Sequence, residues 1–147
     1  MMCSAHCCIK AQTLDSLECE QYFDNLKRFQ ETYVSPPILW EVAPELKESN
    51  IPLINKLCEK LSENSQVEKM MATFILNENG NPICVEINSN VENGMLKNEI
   101  MSLLYTIEFQ PAIAKGKPVR SHANIILGDV KCREYQVLER EYDKKQR

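Results

Sequence analysis

The sequence predicts a small α+β fold: a three-stranded antiparallel sheet, made of a β-hairpin and one later strand, carries one helix and follows a helical extension. Three observations predict it. A β-rich run over 67–76 reaches an Asn- and Gly-rich turn, and an alternating apolar run follows over 83–87. An apolar stripe with helical spacing then covers 96–107. Finally, a Gly-Lys-Pro turn at 116–118 leads into an apolar run over 119–127.

The hairpin is predicted from its turn chemistry and from alternation. Residues 77–81 contain Asn and Gly, which accept the positive φ of a tight loop, so an antiparallel return is expected. Along the return strand, one face is predicted to hold Ile83, Val85 and Ile87. The opposite face would then hold Cys84 and Glu86.

The helix after the hairpin is predicted from a stripe and a stop signal. The stripe comprises Leu96, Ile100, Leu103, Leu104 and Ile107. Pro111 cannot continue a helix because it lacks an N–H donor and its ring clashes with the preceding turn. Stripe and strands together predict a core of Phe74, Leu76, Val85, Ile87, Leu96, Ile100, Leu103, Leu104 and Phe109.

Two further helices are predicted before the hairpin. The first spans 15–33 and begins with Asp15 as N-cap and Glu18 as its reciprocal partner. The second spans 51–62, and Asn50 suits its N-cap.

The loop between these helices, 38–46, contains the single tryptophan, Trp40, beside prolines. Two roles stay open for this side chain. Large aromatic residues most often cover a core, whereas a tryptophan next to prolines also suits a peptide-binding surface.

Composition divides the chain into four segments: a candidate truncated signal-peptide remnant (1–11), a helical extension (12–66), the hairpin–helix–strand unit (67–128) and a charged tail (129–147). The bond Ala11–Gln12 suits signal-peptide cleavage, although the positive leader of a secretory signal is missing. The tail is expected to begin as a strand over 130–138 and to end as a frayed helix.

Nothing in the sequence predicts an enzyme or a cofactor. His122 has no carboxylate or nucleophile near it in sequence, so we interpret it as an exposed strand histidine. The four glycines lie at predicted junctions and form no phosphate-binding loop. A net charge of −4 with interleaved signs predicts no nucleic-acid partner, and no apolar run approaches the roughly 20 residues of a spanning helix.

The seven cysteines are unevenly placed. Three of them, with His6, form a soft-ligand cluster near the start, but its spacing matches no structural zinc pattern and no metal site is predicted; the cluster is Cys3, His6, Cys7 and Cys8. The other four allow three disulfide pairings, which the sequence leaves open: Cys19, Cys58, Cys84 and Cys132.

Residues 67–127 carry a set of motifs that occur together in one family. They are Phe74-x-Leu76-Asn77-x-x-Gly80, Val85-x-Ile87, Leu96 followed by Phe109-Gln110-Pro111-Ala112, and Gly116-Lys117-Pro118-Val119-Arg120-Ser121. This unit resembles the C-terminal domain of TonB-type energy transducers. The family's Tyr-Pro pair and glycine-containing turn before the first strand are replaced here by residues 63–66.

The resemblance implies a non-enzymatic, exported, periplasmic protein-interaction domain. In that family, the last strand of the unit receives an extended segment of an outer-membrane receptor by strand addition. By position, the partner-binding edge here comprises Arg120, Ser121, His122, Ala123, Asn124, Ile125, Ile126 and Leu127. The family's membrane anchor and proline-rich spacer have no counterpart in this sequence, so a detached adaptor is expected.

A second hypothesis is a structural or self-associating envelope protein. An open sheet edge also pairs with a copy of itself or with the chain's own tail. If residues 130–138 add a fourth strand to the last strand, the edge is closed and the peptide-binding hypothesis fails.

Overall fold

The computed structural model describes residues 14–32, 39–63, 69–89 and 94–146. Its elements, numbered in chain order, are α1 (Ser16–Thr32), β1 (Glu45–Leu46), a 3₁₀ turn (Glu48–Asn50), α2 (Ile51–Ser62), β2 (Lys69–Leu76), β3 (Pro82–Ser89), α3 (Gly94–Leu104), β4 (Phe109–Gln110), β5 (Ala112–Ala114), β6 (Lys117–Val119), β7 (Ser121–Gly128) and α4 (Asp129–Gln146). The predicted junction at 11–12 and the soft-ligand cluster at 3–8 lie outside the described residues.

The central sheet has the strand order β3–β2–β7, and both pairs are antiparallel. Phe74 of β2 lies opposite Val85 of β3 on one side and opposite Ala123 of β7 on the other. The later strand therefore pairs with the first strand of the hairpin. This sheet and its helices confirm the predicted α+β fold.

The hairpin turn depends on one asparagine and one glycine. The Asn77 side-chain oxygen accepts the N–H groups of Asn79 and Asn81 at 2.9 and 3.0 Å. Gly80 has φ +82°, and a Cβ there would lie 2.0 Å from the Phe109 carbonyl oxygen. The Phe109 N–H also donates to the Gly80 carbonyl at 3.0 Å. Glycine is required at this position because of both the conformation and the close approach.

A β-bulge beside the turn corrects one prediction. Ile75 lies opposite Cys84, whereas the residue after Ile75 lies opposite Pro82, so Ile83 is the extra residue. Ile83 consequently packs with Cys84 and not with the cluster of Val85. The prediction that Ile83 and Val85 share a face is wrong because the bulge interrupts the alternation.

The main core lies between one face of the sheet and helices α2 and α3. Most predicted core residues are buried there: Phe74, Leu76, Val85, Ile100, Leu104 and Phe109. The remaining three are half-buried against the same cluster: Ile87, Leu96 and Leu103. Helix α2 and strand β7 contribute buried residues that the prediction left out: Ile54, Leu57, Leu61, Ile125 and Leu127.

Helix α1 covers the opposite face of the sheet. Its buried Phe23 belongs to a second cluster with Ile75, Ile83 and Cys84. A disulfide between Cys19 and Cys84 joins α1 to β3. The Glu18 N–H donates to the Asp15 carboxylate at 2.8 Å, so the Asp15 half of the predicted reciprocal cap is confirmed.

Two predicted boundaries in the second half of the chain are wrong. Helix α3 ends at Leu104, although the stripe extends to Ile107, which is fully buried after the helix. A short β5–β6 hairpin precedes β7, and its turn residues Lys115 and Gly116 have φ of 52° and 73°. Ile107 reaches the core through the turn that follows α3, not as part of the helix. Its position in the sequence nevertheless matches the helical spacing.

Asn50 stands at the N-cap position of α2 but makes no side-chain cap bond. Its amide nitrogen donates to the carbonyls of Lys47 at 2.8 Å and Glu108 at 2.6 Å. Its amide oxygen accepts the Glu108 N–H at 2.9 Å. The side chain therefore joins α2 to the segment that enters β4, a role that local sequence does not indicate.

The charged tail is helical from Asp129 to Gln146, so the predicted strand over 130–138 is wrong. One side of this helix is half-buried at spacings of three and four, with Cys132, Tyr135, Glu139 and Tyr142. A disulfide between Cys58 and Cys132 joins α4 to α2.

The core assignment predicts the stability of truncation variants. Leu104→Ala and Phe74→Ala should each lower the free energy of unfolding by about 2–5 kcal/mol, because both side chains are fully buried. Val130→Ala is the control, since Val130 is 64% exposed and should change stability by less than about 0.5 kcal/mol. Urea denaturation measures all three. Equal stability of the Leu104 and Val130 variants would contradict the described packing.

Candidate peptide-binding edge

Strand β7 pairs with β2 along one side, and no described strand pairs with its other side. The segment predicted as a competing fourth strand is helix α4, so the described tail adds no strand to this edge. An unpaired edge presents a row of N–H and C=O groups to an incoming strand.

The hairpin shows which residues of β7 direct their main-chain groups outward. The Asn77 N–H donates to the Asn81 carbonyl at 2.9 Å, so Asn77 faces β3. Along an antiparallel strand, the N–H and C=O groups of successive residues point to alternate sides. Those of Phe74 in β2 therefore point away from β3, toward Ala123 of β7. The residues that alternate with Ala123 therefore face outward: His122, Asn124 and Ile126.

The open edge lies in a surface groove of about 470 Å³. The 40–46 segment and α4 form its walls, and β7 runs between them. The lining residues are Trp40, Ala43, Pro44, Leu46, Phe109, His122, Ala123, Asn124, Ile125, Ile126, Lys131 and Tyr135. The groove thus combines main-chain donors and acceptors with an apolar and aromatic lining, which is the composition that an extended peptide requires.

Trp40 and His122 meet at one end of this groove. Their ring centres are 5.0 Å apart in an edge-to-face arrangement, and both side chains are half-buried. The His122 Nε2 is buried with no hydrogen-bond partner among the described residues. Burial lowers the pKa of His122 below its ordinary value. The expectation of an exposed strand histidine is wrong, because Trp40 packs on it.

Apart from His122, Lys131 is the one acidic or basic residue among the groove-lining side chains described. It forms an exposed ion pair with Glu134 at 3.3 Å on the same helix. Such pairs contribute little to stability, so the ammonium group can turn toward a ligand at small cost.

The eight predicted edge residues have different positions. Those from His122 to Ile126 line the groove, whereas Ser121 and Leu127 are buried. Arg120 precedes β7 and contacts Tyr22 of α1, with the guanidinium 5.1 Å from the ring centre and a hydrogen bond to its hydroxyl. The groove walls at Lys131 and Tyr135 were missed because the tail was interpreted as a strand.

Neither a metal site nor a membrane-spanning helix is found among the described residues. They contain no cluster of three or more His, Cys, Asp or Glu side chains that could hold a metal ion. No described helix is long and apolar enough to cross a membrane. Neither a comparison with models of known protein families nor a search of curated proteins finds a match to this chain.

Burial of His122 predicts a pH-dependent stability. Its pKa is lowered in the folded state, so the unfolded state binds more protons and stability falls as pH decreases through the histidine range. Urea denaturation at about pH 7 and about pH 5 should show this loss. His122→Gln does not titrate and should lose less stability over the same interval. An equal loss in both proteins would show that His122 is not the titrating group.

Proposed function

We propose that this chain is a non-enzymatic protein-interaction module that binds an extended peptide segment of a partner by adding it as a strand to β7. The observation that carries this proposal is the outward-facing edge of His122, Asn124 and Ile126 on the floor of a groove. These residues offer alternating donors and acceptors, and each bond contributes about 0.5–1.5 kcal/mol net. The groove walls would supply contacts to the peptide side chains.

The disulfides support a location of the protein outside the reducing cytoplasm. All four cysteines within the described residues are paired, Cys19 with Cys84 and Cys58 with Cys132. Structural disulfides form and persist in oxidising compartments such as the periplasm. We therefore keep a periplasmic location as part of the proposal.

The resemblance to the TonB C-terminal domain supports the choice of partner. In that family the matching strand receives a segment of an outer-membrane receptor, so the proposed partner is an outer-membrane receptor or another envelope protein. The resemblance covers residues 67–127. Fold likeness alone is a weak argument for function, so the open edge remains the main support.

A proline substitution tests the edge directly. Linear peptides displayed on phage would be selected against the folded full chain, and the Kd of a selected peptide measured by fluorescence anisotropy. Asn124→Pro should weaken binding by roughly a hundredfold, because it removes an outward N–H and its ring obstructs the added strand. Circular dichroism must show that the variant is folded.

The matched control is Asn124→Ala, which removes the side chain and keeps the N–H. Its Kd should change by no more than about threefold, since main-chain pairing supplies most of the affinity in strand addition. Unchanged binding by a folded proline variant would show that β7 is not the binding edge. Failure to select any peptide, together with a dimer in sedimentation that Asn124→Pro dissociates, would favour self-association.

A further inference from the structure

We propose that the Cys58–Cys132 disulfide is a thiol-sensitive clasp that holds helix α4 as one wall of the β7 groove. Reduction by a dithiol would release α4 and weaken peptide binding, a regulatory role that rests on the proposed function. The proposal comes from how α4 is attached, from where the disulfide lies, and from which α4 residues line the groove.

Apart from the disulfide, helix α4 packs on α2 and β7 through half-buried side chains. None of its described residues is fully buried. Tyr135 is half-buried against the main core, and its carbonyl accepts a hydrogen bond from the Asn55 amide at 2.8 Å. Near its end, Lys145 forms an ion pair with Glu48 at 3.1 Å, and both side chains are more than half exposed.

Among these contacts, the disulfide is the one covalent bond between α4 and α2. A polar helix of this length is marginal in water unless an apolar face packs against the protein. An exposed ion pair contributes little to stability, whereas a disulfide typically contributes substantially more. Loss of the covalent bond should therefore let α4 open locally while the sheet stays folded.

The clasp is also open to a reductant. Cys58 and Cys132 line a surface cavity of about 450 Å³, and Cys132 is half-buried. The cavity's charged residues are two acidic and two basic, so an approaching thiolate meets no net repulsion: Glu59, Lys69, Asp129 and Arg133. Each disulfide pairs a half-buried cysteine with a buried one, Cys132 with Cys58 and Cys19 with Cys84, so burial does not rank the two bonds. The cavity at Cys58 and Cys132 is the feature that favours attack on their bond. The Cys58–Cys132 bond should react first.

The chemistry is an ordinary thiol–disulfide exchange. One thiolate of the dithiol attacks Cys132 Sγ, the protein disulfide breaks, and Cys58 leaves as a thiolate that takes a proton. The second thiol of the reductant, as its thiolate, then attacks the mixed disulfide and releases Cys132. The dithiol ends as a disulfide, and the protein gains two electrons and two protons.

Release of α4 would reach the binding groove through two residues. Lys131 and Tyr135 lie on either side of Cys132 on α4, and both line the groove beside β7. With α4 free, the peptide would meet the open edge without this wall. It would also have to order the wall on binding, which costs conformational entropy.

The order of reduction is the first test. The full chain would be treated with increasing dithiothreitol, its free thiols alkylated, and the labelled peptides quantified by mass spectrometry. Cys58 and Cys132 should be labelled at dithiothreitol concentrations about tenfold below those that label Cys19 and Cys84. Simultaneous labelling, or earlier labelling of Cys19 and Cys84, would overturn the proposal.

The second test follows α4 and the groove separately. In the double variant C58S/C132S, α4 amides should exchange with deuterium roughly a hundredfold faster, while β2 and β3 keep their protection. The selected peptide should bind about tenfold more weakly than to the oxidised wild type. Partly reduced wild type, with Cys19–Cys84 intact, is the sample if the variant does not fold.

These two measurements distinguish the possible failures. Unchanged exchange in α4 would overturn the clasp, and that measurement needs no peptide. Rapid exchange of α4 with unchanged peptide affinity would show that α4 is clasped but does not regulate the edge. Absence of any peptide binding to the oxidised protein would instead contradict the proposed function.

Discussion

The rest of the structure depends on the antiparallel pairing of β2 with both β3 and β7. Because β2 is central, its core-facing side chains meet helices α2 and α3 while its main chain is fully engaged in the described sheet. The last strand, β7, is engaged on one side only, since the chain continues from it as helix α4. The candidate site is a direct consequence of this topology, and it needs no special side chain.

Helices α2 and α4, which the Cys58–Cys132 disulfide joins, are held in different ways. Helix α2 packs by buried apolar residues such as Ile54 and Leu57, which make its position part of the core. None of the described residues of helix α4 is buried; the helix contacts the protein through a few half-buried ones and is joined to α2 by a disulfide. One wall of the groove therefore depends for its position on a covalent bond that a thiol can break.

The sequence was informative where local chemistry decides structure. The Asn- and Gly-rich turn, the Asp15 cap and the apolar stripe of α3 are local signals, and each gives the element that was predicted. The face of Ile83 was predicted wrongly because it depends on pairing across the hairpin, where a bulge lies opposite Ile75. The role of the Asn50 side chain depends on Glu108, which is distant in sequence. Helix α4 was not predicted because its apolar residues are sparse. Contact with α2 provides stabilisation that its own sequence pattern does not indicate.

Residue-resolved deuterium exchange along β7 tests the central claim most directly. In the free protein, the amides of His122, Asn124 and Ile126 should exchange quickly, whereas those of Ala123 and Ile125 should be protected by β2. Saturation with a selected peptide should then protect the first set and leave the second unchanged. Equal protection of all five amides in the free protein, or no added protection in the complex, would contradict strand addition at this edge.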